Sequence, residues 1–241
     1  MNSVPNSNLV TSYFYQASNN ANGELVCYVA GFKTKIKVYF RAINTLRNLG
    51  FDVLAFDYDP SVLDAGDPQI LLDIVAIVTS HVSKKSKKYT QTLCMGVSLG
   101  SFISYNVQKR VANAYVGAYA VAGVDTANVI FGTRTFKEIA KAFRSNGYNG
   151  KKLNQAWKEL DAEPPSATFP ANKSFIAFDG TLDRVVKFSE ATHNIKMWAD
   201  KGIRVKQYVV KGRGHLLTVA YFIRHTKRII SLAKQHHLAT N

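Results

Sequence analysis

Thr92-Leu93-Cys94-Met95-Gly96-Val97-Ser98-Leu99-Gly100-Ser101-Phe102-Ile103-Ser104-Tyr105-Asn106-Val107 is the stretch on which the reading of this chain turns. Its first four residues form a short apolar run of strand type, while Phe102, Ile103 and Val107 recur at helical spacing. The Gly-x-Ser-x-Gly between them therefore joins a strand to a helix through a sharp turn. A serine in such a turn projects its hydroxyl as a nucleophile. The pentapeptide alone is a weak signal, and the rest of the chain has to supply its context.

Two downstream segments do so. Ser174-Phe175-Ile176-Ala177-Phe178 reads as a buried strand running into Asp179-Gly180-Thr181-Leu182-Asp183-Arg184-Val185-Val186, a loop with a carboxylate. Ile203 to Val210 alternates as a strand and ends in Lys211-Gly212-Arg213-Gly214-His215. Upstream, Leu25-Val26-Cys27-Tyr28-Val29-Ala30 is a strand closed by the turn Gly31-Phe32. The order Ser, Asp, His, the Gly180-x-x-Asp183-x-x-Val186 loop and the Gly212-x-Gly214-His215 ending together resemble the α/β-hydrolase family, from about Gly31 to the last helix. The resemblance implies an α/β fold, a mostly parallel sheet with helices on both faces. It also implies Ser98 as nucleophile, His215 as base and Asp183 as the carboxylate that orients the imidazole. The Leu99 amide is the first oxyanion donor it implies. The Phe32 amide is the candidate for the second, although Ala30-Gly31 stands where many relatives carry His-Gly.

Asp179 follows the same strand and competes with Asp183; spacing to Gly180 and Val186 favours Asp183. Phe178-Asp179-Gly180-Thr181-Leu182 also resembles a haloacid-dehalogenase phosphatase loop, but Ala177 replaces its nucleophilic aspartate. The remaining histidines read without catalysis: His81 at a helix end, His193 unassigned, His225 within the final helix, and His236-His237 in a frayed terminus.

Composition bounds the class. At 241 residues with 46% hydrophobic content, the chain has ample apolar material for one domain spanning 1–241. The longest apolar segment, Ile70 to Val78, is short and holds Asp73, so it reads as a buried helix rather than a membrane span. Met1 to Asn8 lacks the features of a signal peptide, which makes a cytoplasmic location the expectation. Cys27 and Cys94 lie in apolar strands and read as buried thiols; no metal-ligand spacing occurs, so neither metal nor cofactor is implied. A net charge of +15 is unusual for a small hydrolase. Nucleic acid is disfavoured as the partner, because no such module is readable and the aromatics do not interleave with the lysines. Solubility or attraction to acidic surfaces is the simpler reading. Lys84-Lys85-Ser86-Lys87-Lys88 reads as a solvated loop opposite the site.

Along the chain, Leu9 to Ala17 reads as a strand, Thr34 as the cap of a helix ended by Gly50, and Phe51 to Asp57 as a strand. Asp67-Pro68 starts the buried helix, and Ala114 to Val121 is another strand. The alternation breaks over residues 124–172 into two amphipathic helices, one opened by a Thr135/Glu138 capping box, the other ended by Pro164-Pro165, and the resemblance implies that this insert is a small helical cap. Phe136, Phe143 and Trp157 are its candidate pocket walls, with packing onto the body as the competing reading. Lys33, Lys35, Arg184 and Arg213 come from three loops that the resemblance places around one opening, where they would favour an anionic substrate or simply face solvent. The expectation is a serine hydrolase of carboxylic esters working through an acyl-enzyme on a small-molecule substrate. A thioesterase, a lysophospholipase or a noncatalytic ligand-binding protein of the same fold are the alternatives. Nothing in the sequence signals an oligomeric state.

Overall fold

A computed structural model describes residues 9–59, 61–122, 125–160 and 169–240. Within them seven strands form one sheet: β1 (Val10–Tyr15), β2 (Glu24–Val29), β3 (Asp52–Tyr58), β4 (Gln91–Val97), β5 (Val116–Ala120), β6 (Ser174–Gly180) and β7 (Arg204–Val210). Their order is β1-β3-β2-β4-β5-β6-β7. β1 runs antiparallel to β3, with Val10 opposite Tyr58, and every other neighbouring pair is parallel. This is the mostly parallel α/β sheet the sequence predicts.

Parallel neighbours need crossovers, and helices supply them. They are α1 (Phe40–Asn48), α2 (Pro68–Ser86), α3 (Leu99–Arg110), α7 (Phe188–Asp200), α8 (His215–Arg224) and α9 (Thr226–Thr240), with α4 (Thr126–Gly132), α5 (Lys137–Ser145) and α6 (Gly150–Ala156) between β5 and β6. Because both faces are covered, the inner strands β2 to β6 read as mostly apolar runs. In β2, Leu25, Cys27 and Val29 enter one core with α2, while Val26 and Tyr28 enter the other with α1. The chain leaves β2 for β3 on one side and returns to β4 on the other. The loops after β2 and β4 therefore diverge and open a crevice at the carboxyl ends of the strands, where ligands bind in such sheets.

Several local expectations change. Thr34 does not cap α1: a 3₁₀ turn, Ile36–Tyr39, precedes that helix, and the N-cap Tyr39 makes no side-chain cap bond. Lys84 and Lys85 belong to the last turn of α2, where cations suit the helix dipole, and Lys85 lies 3.5 Å from the centre of the Phe14 ring. The insertion holds α4 as well as the two helices expected, because a seven-residue helix is too short to show a periodicity. Asp125 caps α4 through the Asn128 amide. Thr135 falls in a 3₁₀ turn, Arg134–Phe136, and α5 starts at Lys137 without a side-chain cap. The Pro164-Pro165 stop and the Met1–Asn8 segment lie outside the described residues. The terminus is helical rather than frayed: His237 Nδ1 sits 3.0 Å from Ser174 Oγ and its ring stacks on Tyr115. His225 ends α8 instead of lying within the final helix.

Cys27 and Cys94 are register partners on the adjacent strands β2 and β4, both free and fully buried. Burial pushes the Cys27 thiol well above its ordinary value, and the neighbouring Cys94 adds to the effect, so the reactive thiolate is suppressed. Thiol titration is expected to count two free thiols in denatured, unreduced protein and almost none in the native state. A count of zero after denaturation would mean that a disulfide joins them.

Candidate active site

The turn after β4 has a tightly constrained backbone. Ser98 has φ 53° and ψ −128°, a conformation disfavoured for any residue with a Cβ and worth about 1–3 kcal/mol of strain. A Cβ on Gly96 would come within 2.2 Å of the Gly100 carbonyl oxygen, and one on Gly100 within 2.2 Å of the Ala30 carbonyl oxygen. Both flanking glycines are thus required by close approach. The turn is held by Ser98 N donating to Ala120 O (2.9 Å), Ser101 N to Ser98 O (2.8 Å), and the Ser101 hydroxyl lying 2.8 Å from Gly96 O and 2.7 Å from Ala120 O. At about 0.5–1.5 kcal/mol each, these bonds suffice to offset the strain. Lys33 (φ 56°) and Val121 (φ 55°) are the other described non-glycine residues with positive φ. All three follow the carboxyl ends of β2, β4 and β5, which concentrates strain at one edge of the sheet, as functional sites do.

Ser98, Asp183 and His215 come together from three loops. His215 Nε2 is 3.1 Å from Ser98 Oγ, and His215 Nδ1 is 2.9 Å from Asp183 Oδ2. The Asp183 side chain is 1% exposed and that of His215 15%. Asp183 Oδ1 accepts from the Val185 and Val186 amides at 2.8 and 3.0 Å, so the carboxylate builds its own loop and aims its other oxygen at the imidazole. With Nδ1 donating to that oxygen, Nε2 keeps a lone pair for the serine proton. Asp179 is buried at the end of β6, and its carboxylate accepts from Gln207 at 3.0 Å.

The turn after β2 is locked by a ring of hydrogen bonds. Gly31 N donates to the Tyr39 hydroxyl (3.0 Å), the Thr34 hydroxyl donates to Gly31 O (2.7 Å), and the two hydroxyls are 2.8 Å apart. Since Thr34 spends its hydrogen on Gly31, Tyr39 donates to Thr34 and every member is satisfied. Buried Asp57, from the end of β3, accepts from Ile36 N at 3.1 Å and pins the far side of the loop. Leu99 N opens α3, so it is one of the helix's unpaired amides at the positive end of its dipole. These features can present N–H groups and a nucleophile to one point without further reorganisation.

An apolar cavity of about 40 Å³ reaches Ser98 and is walled by Phe32, Leu63, Leu99, Val121, Ile130 and Phe136. Phe32 and Phe136 meet edge to face across it at 6.0 Å. The insertion also reaches the acid loop, where the Thr133 hydroxyl donates to Val185 O at 3.1 Å. Phe143 and Trp157 do not wall the cavity: both are fully buried, pack edge to face at 5.8 Å, and the Trp157 indole donates to Pro68 O at 2.9 Å. They fasten the insertion to the body instead. The cation ring is also only partial. Lys33 faces Asp64 at 3.7 Å and Lys35 faces Asp57 at 3.5 Å, whereas Arg184 and Arg213 are exposed without an ion-pair partner among the described residues. Sequence reading missed Tyr39, Asp57, Ser101, Val121 and Ile130. For Tyr39, Ser101 and Ile130 the sequence held no signal, while Asp57 at the end of an apolar strand was a readable one. Among the described residues no cluster of His, Cys, Asp and Glu could hold a metal, and no helix is long and apolar enough to cross a membrane.

A family model described as the prolyl oligopeptidase family matches residues 67–238. A search of curated proteins finds no matching sequence. Among solved structures, the chain is similar to a thermostable carboxyl esterase from Bacillus coagulans (TM-score 0.68, 15% identity, 98% of this chain and 97% of that one). It is also similar to Est1E from Butyrivibrio proteoclasticus (TM-score 0.64, 14% identity, 94% of each chain). An acylaminoacyl peptidase from Pyrococcus horikoshii matches at TM-score 0.69 and 10% identity over 93% of this chain, which spans only 39% of that one. At these identities the likeness is one of fold.

Proposed function

The chain belongs to the prolyl oligopeptidase family, and from that premise we propose that it is a serine hydrolase of carboxylic esters with a short acyl group. The observation that carries this reading is the unbroken line from Ser98 Oγ through His215 to Asp183, at 3.1 and 2.9 Å, beside a small apolar cavity. Ser98 Oγ attacks the acyl carbon as His215 Nε2 takes its proton, and the carbonyl oxygen becomes an oxyanion facing the Leu99 and Phe32 amides. His215 returns the proton to the leaving alcohol as the C–O bond breaks, leaving an acyl-serine. Water, deprotonated by the same imidazole, then releases the acid and restores Ser98. Asp183 stays ionised throughout and stabilises the imidazolium.

Cavity size argues for the acyl preference. An apolar space of only about 40 Å³ beside Ser98 suits short chains, acetyl to butyryl, better than long ones. Fluorophosphonate labelling followed by p-nitrophenyl esters of rising length tests both parts. Labelling is expected, with the acetate or butyrate ester preferred over the octanoate by at least about tenfold in kcat/KM, since methylenes without room must stay in water. Absence of labelling would reject the hydrolase reading, and a preference for octanoate would reject the pocket argument. Family membership itself favours a second reading, cleavage of an acyl-amide or peptide bond by the same residues. Acetyl-aminoacyl anilides in the same assay separate the two.

A further inference from the structure

The loop that carries Asp183 and the start of α8 at His215 also carry three exposed leucines. Leu182 is 63% exposed, Leu216 79% and Leu217 52%. Leu182 N donates to Arg213 O at 2.9 Å, which ties the two loops into one surface beside Ser98. Single exposed leucines are ordinary, but three together at one opening are a patch that looks for a partner. Its surroundings have one sign of charge. Arg184, Lys211 and Arg213 are exposed on these loops with no ion-pair partner among the described residues, and the loops' only carboxylate, Asp183, is buried against His215. The asymmetry extends beyond them: from Lys201 to Asn241 the sequence has nine Lys and Arg and no Asp or Glu.

We propose that these loops form a docking surface for an anionic lipid interface, with Leu182, Leu216 and Leu217 entering the apolar boundary and Arg184, Lys211 and Arg213 meeting the head groups. Leucines set among cations are the arrangement by which proteins lie on such surfaces. Each cation near an anionic bilayer strengthens partition by about fivefold. An acidic protein would complement the charge but would not call for three leucines in open water, and a second copy of this chain would bring its own cations face to face with them. The inference concerns binding, and it stands apart from the hydrolytic reading.

Sedimentation with vesicles tests it without any substrate. The full chain is expected to bind vesicles of phosphatidylcholine with about one-third phosphatidylserine at least tenfold more tightly than pure phosphatidylcholine, and to be released as salt rises. Lys211→Glu should weaken binding by about tenfold or more, and Leu216→Ser/Leu217→Ser by a similar factor, with melting temperatures unchanged because these side chains are exposed. Equal binding to both vesicle types, or no binding, overturns the proposal. So does a leucine variant that binds like the wild type, which would reduce the surface to a generic field of positive charge. A concentration-dependent dimer broken by the leucine variant would assign the patch to self-association and overturn it as well.

Discussion

Ser98→Ala is expected to abolish fluorophosphonate labelling and to lower kcat for ester hydrolysis by about 10⁵- to 10⁶-fold, while the fold is retained. The size of the loss follows from the loss of the nucleophile, for which Ser101, the nearest serine in sequence, is no substitute: it spends its hydroxyl on the Gly96 and Ala120 carbonyls within the turn. Retention of the fold follows from the strain, because alanine has the same Cβ at φ 53° and suffers it equally. Ser98→Gly separates the two effects. It is equally inactive, yet relief of the about 1–3 kcal/mol of backbone strain, less about 0.5–1 kcal/mol for glycine's extra freedom in the unfolded chain, should leave it slightly more stable than wild type. Full esterase activity in Ser98→Ala would move the nucleophile elsewhere, and a destabilised Ser98→Gly would remove the argument that the turn is strained.

What the sequence disclosed about the site was what is encoded locally. Gly96 and Gly100 are legible because a strand–turn–helix of this tightness admits no Cβ there. Asp183 is legible because its carboxylate bonds the amides two and three residues ahead, so its spacing to Gly180 and Val186 is a property of one short loop. The alternation of strands and helices likewise conveys the sheet, since the inner strands β2 to β6 are buried on both faces. The unread parts are assembled from distant positions. Asp57 stands out as a carboxylate at the end of an apolar strand, but it reaches back 21 residues to hold Ile36, and that pairing is not written in its own strand. α4 supplies Ile130 to the cavity from a helix too short to announce itself. Phe143 and Trp157 illustrate the limit of periodicity: it identifies an apolar face correctly and is silent on whether that face meets a ligand or, as here, the protein's own core.

The acid is where sequence left two residues in competition, and charge decides between them. Asp183→Asn should lower turnover by about 10⁴-fold. An asparagine amide presented to His215 Nδ1 forces that nitrogen to accept, which moves the imidazole proton to Nε2 and leaves no lone pair facing Ser98. Asp179→Asn should cost less than about tenfold, because its carboxylate is turned to Gln207 and not to the imidazole. Its signature is in stability. Burial pushes the Asp179 carboxyl up to about 6, the charge of Asp183 adds to this, and the bonds from Gln207 and the Ala122 amide oppose it. The folded value lies above the unfolded value of about 3.9, so the native state binds more protons between pH 4 and 6, and the contribution of this group falls as pH rises through that window. About 2–3 kcal/mol is lost by pH 7, at about 1.4 kcal/mol per pH unit. Urea unfolding at pH 4 and pH 7.5 should therefore find Asp179→Asn gaining on the wild type by about that amount at the higher pH, the opposite of what removing a needed carboxylate would do. If Asp179→Asn instead loses more turnover than Asp183→Asn, the acid is Asp179 and the loop reading built on Gly180 and Val186 fails.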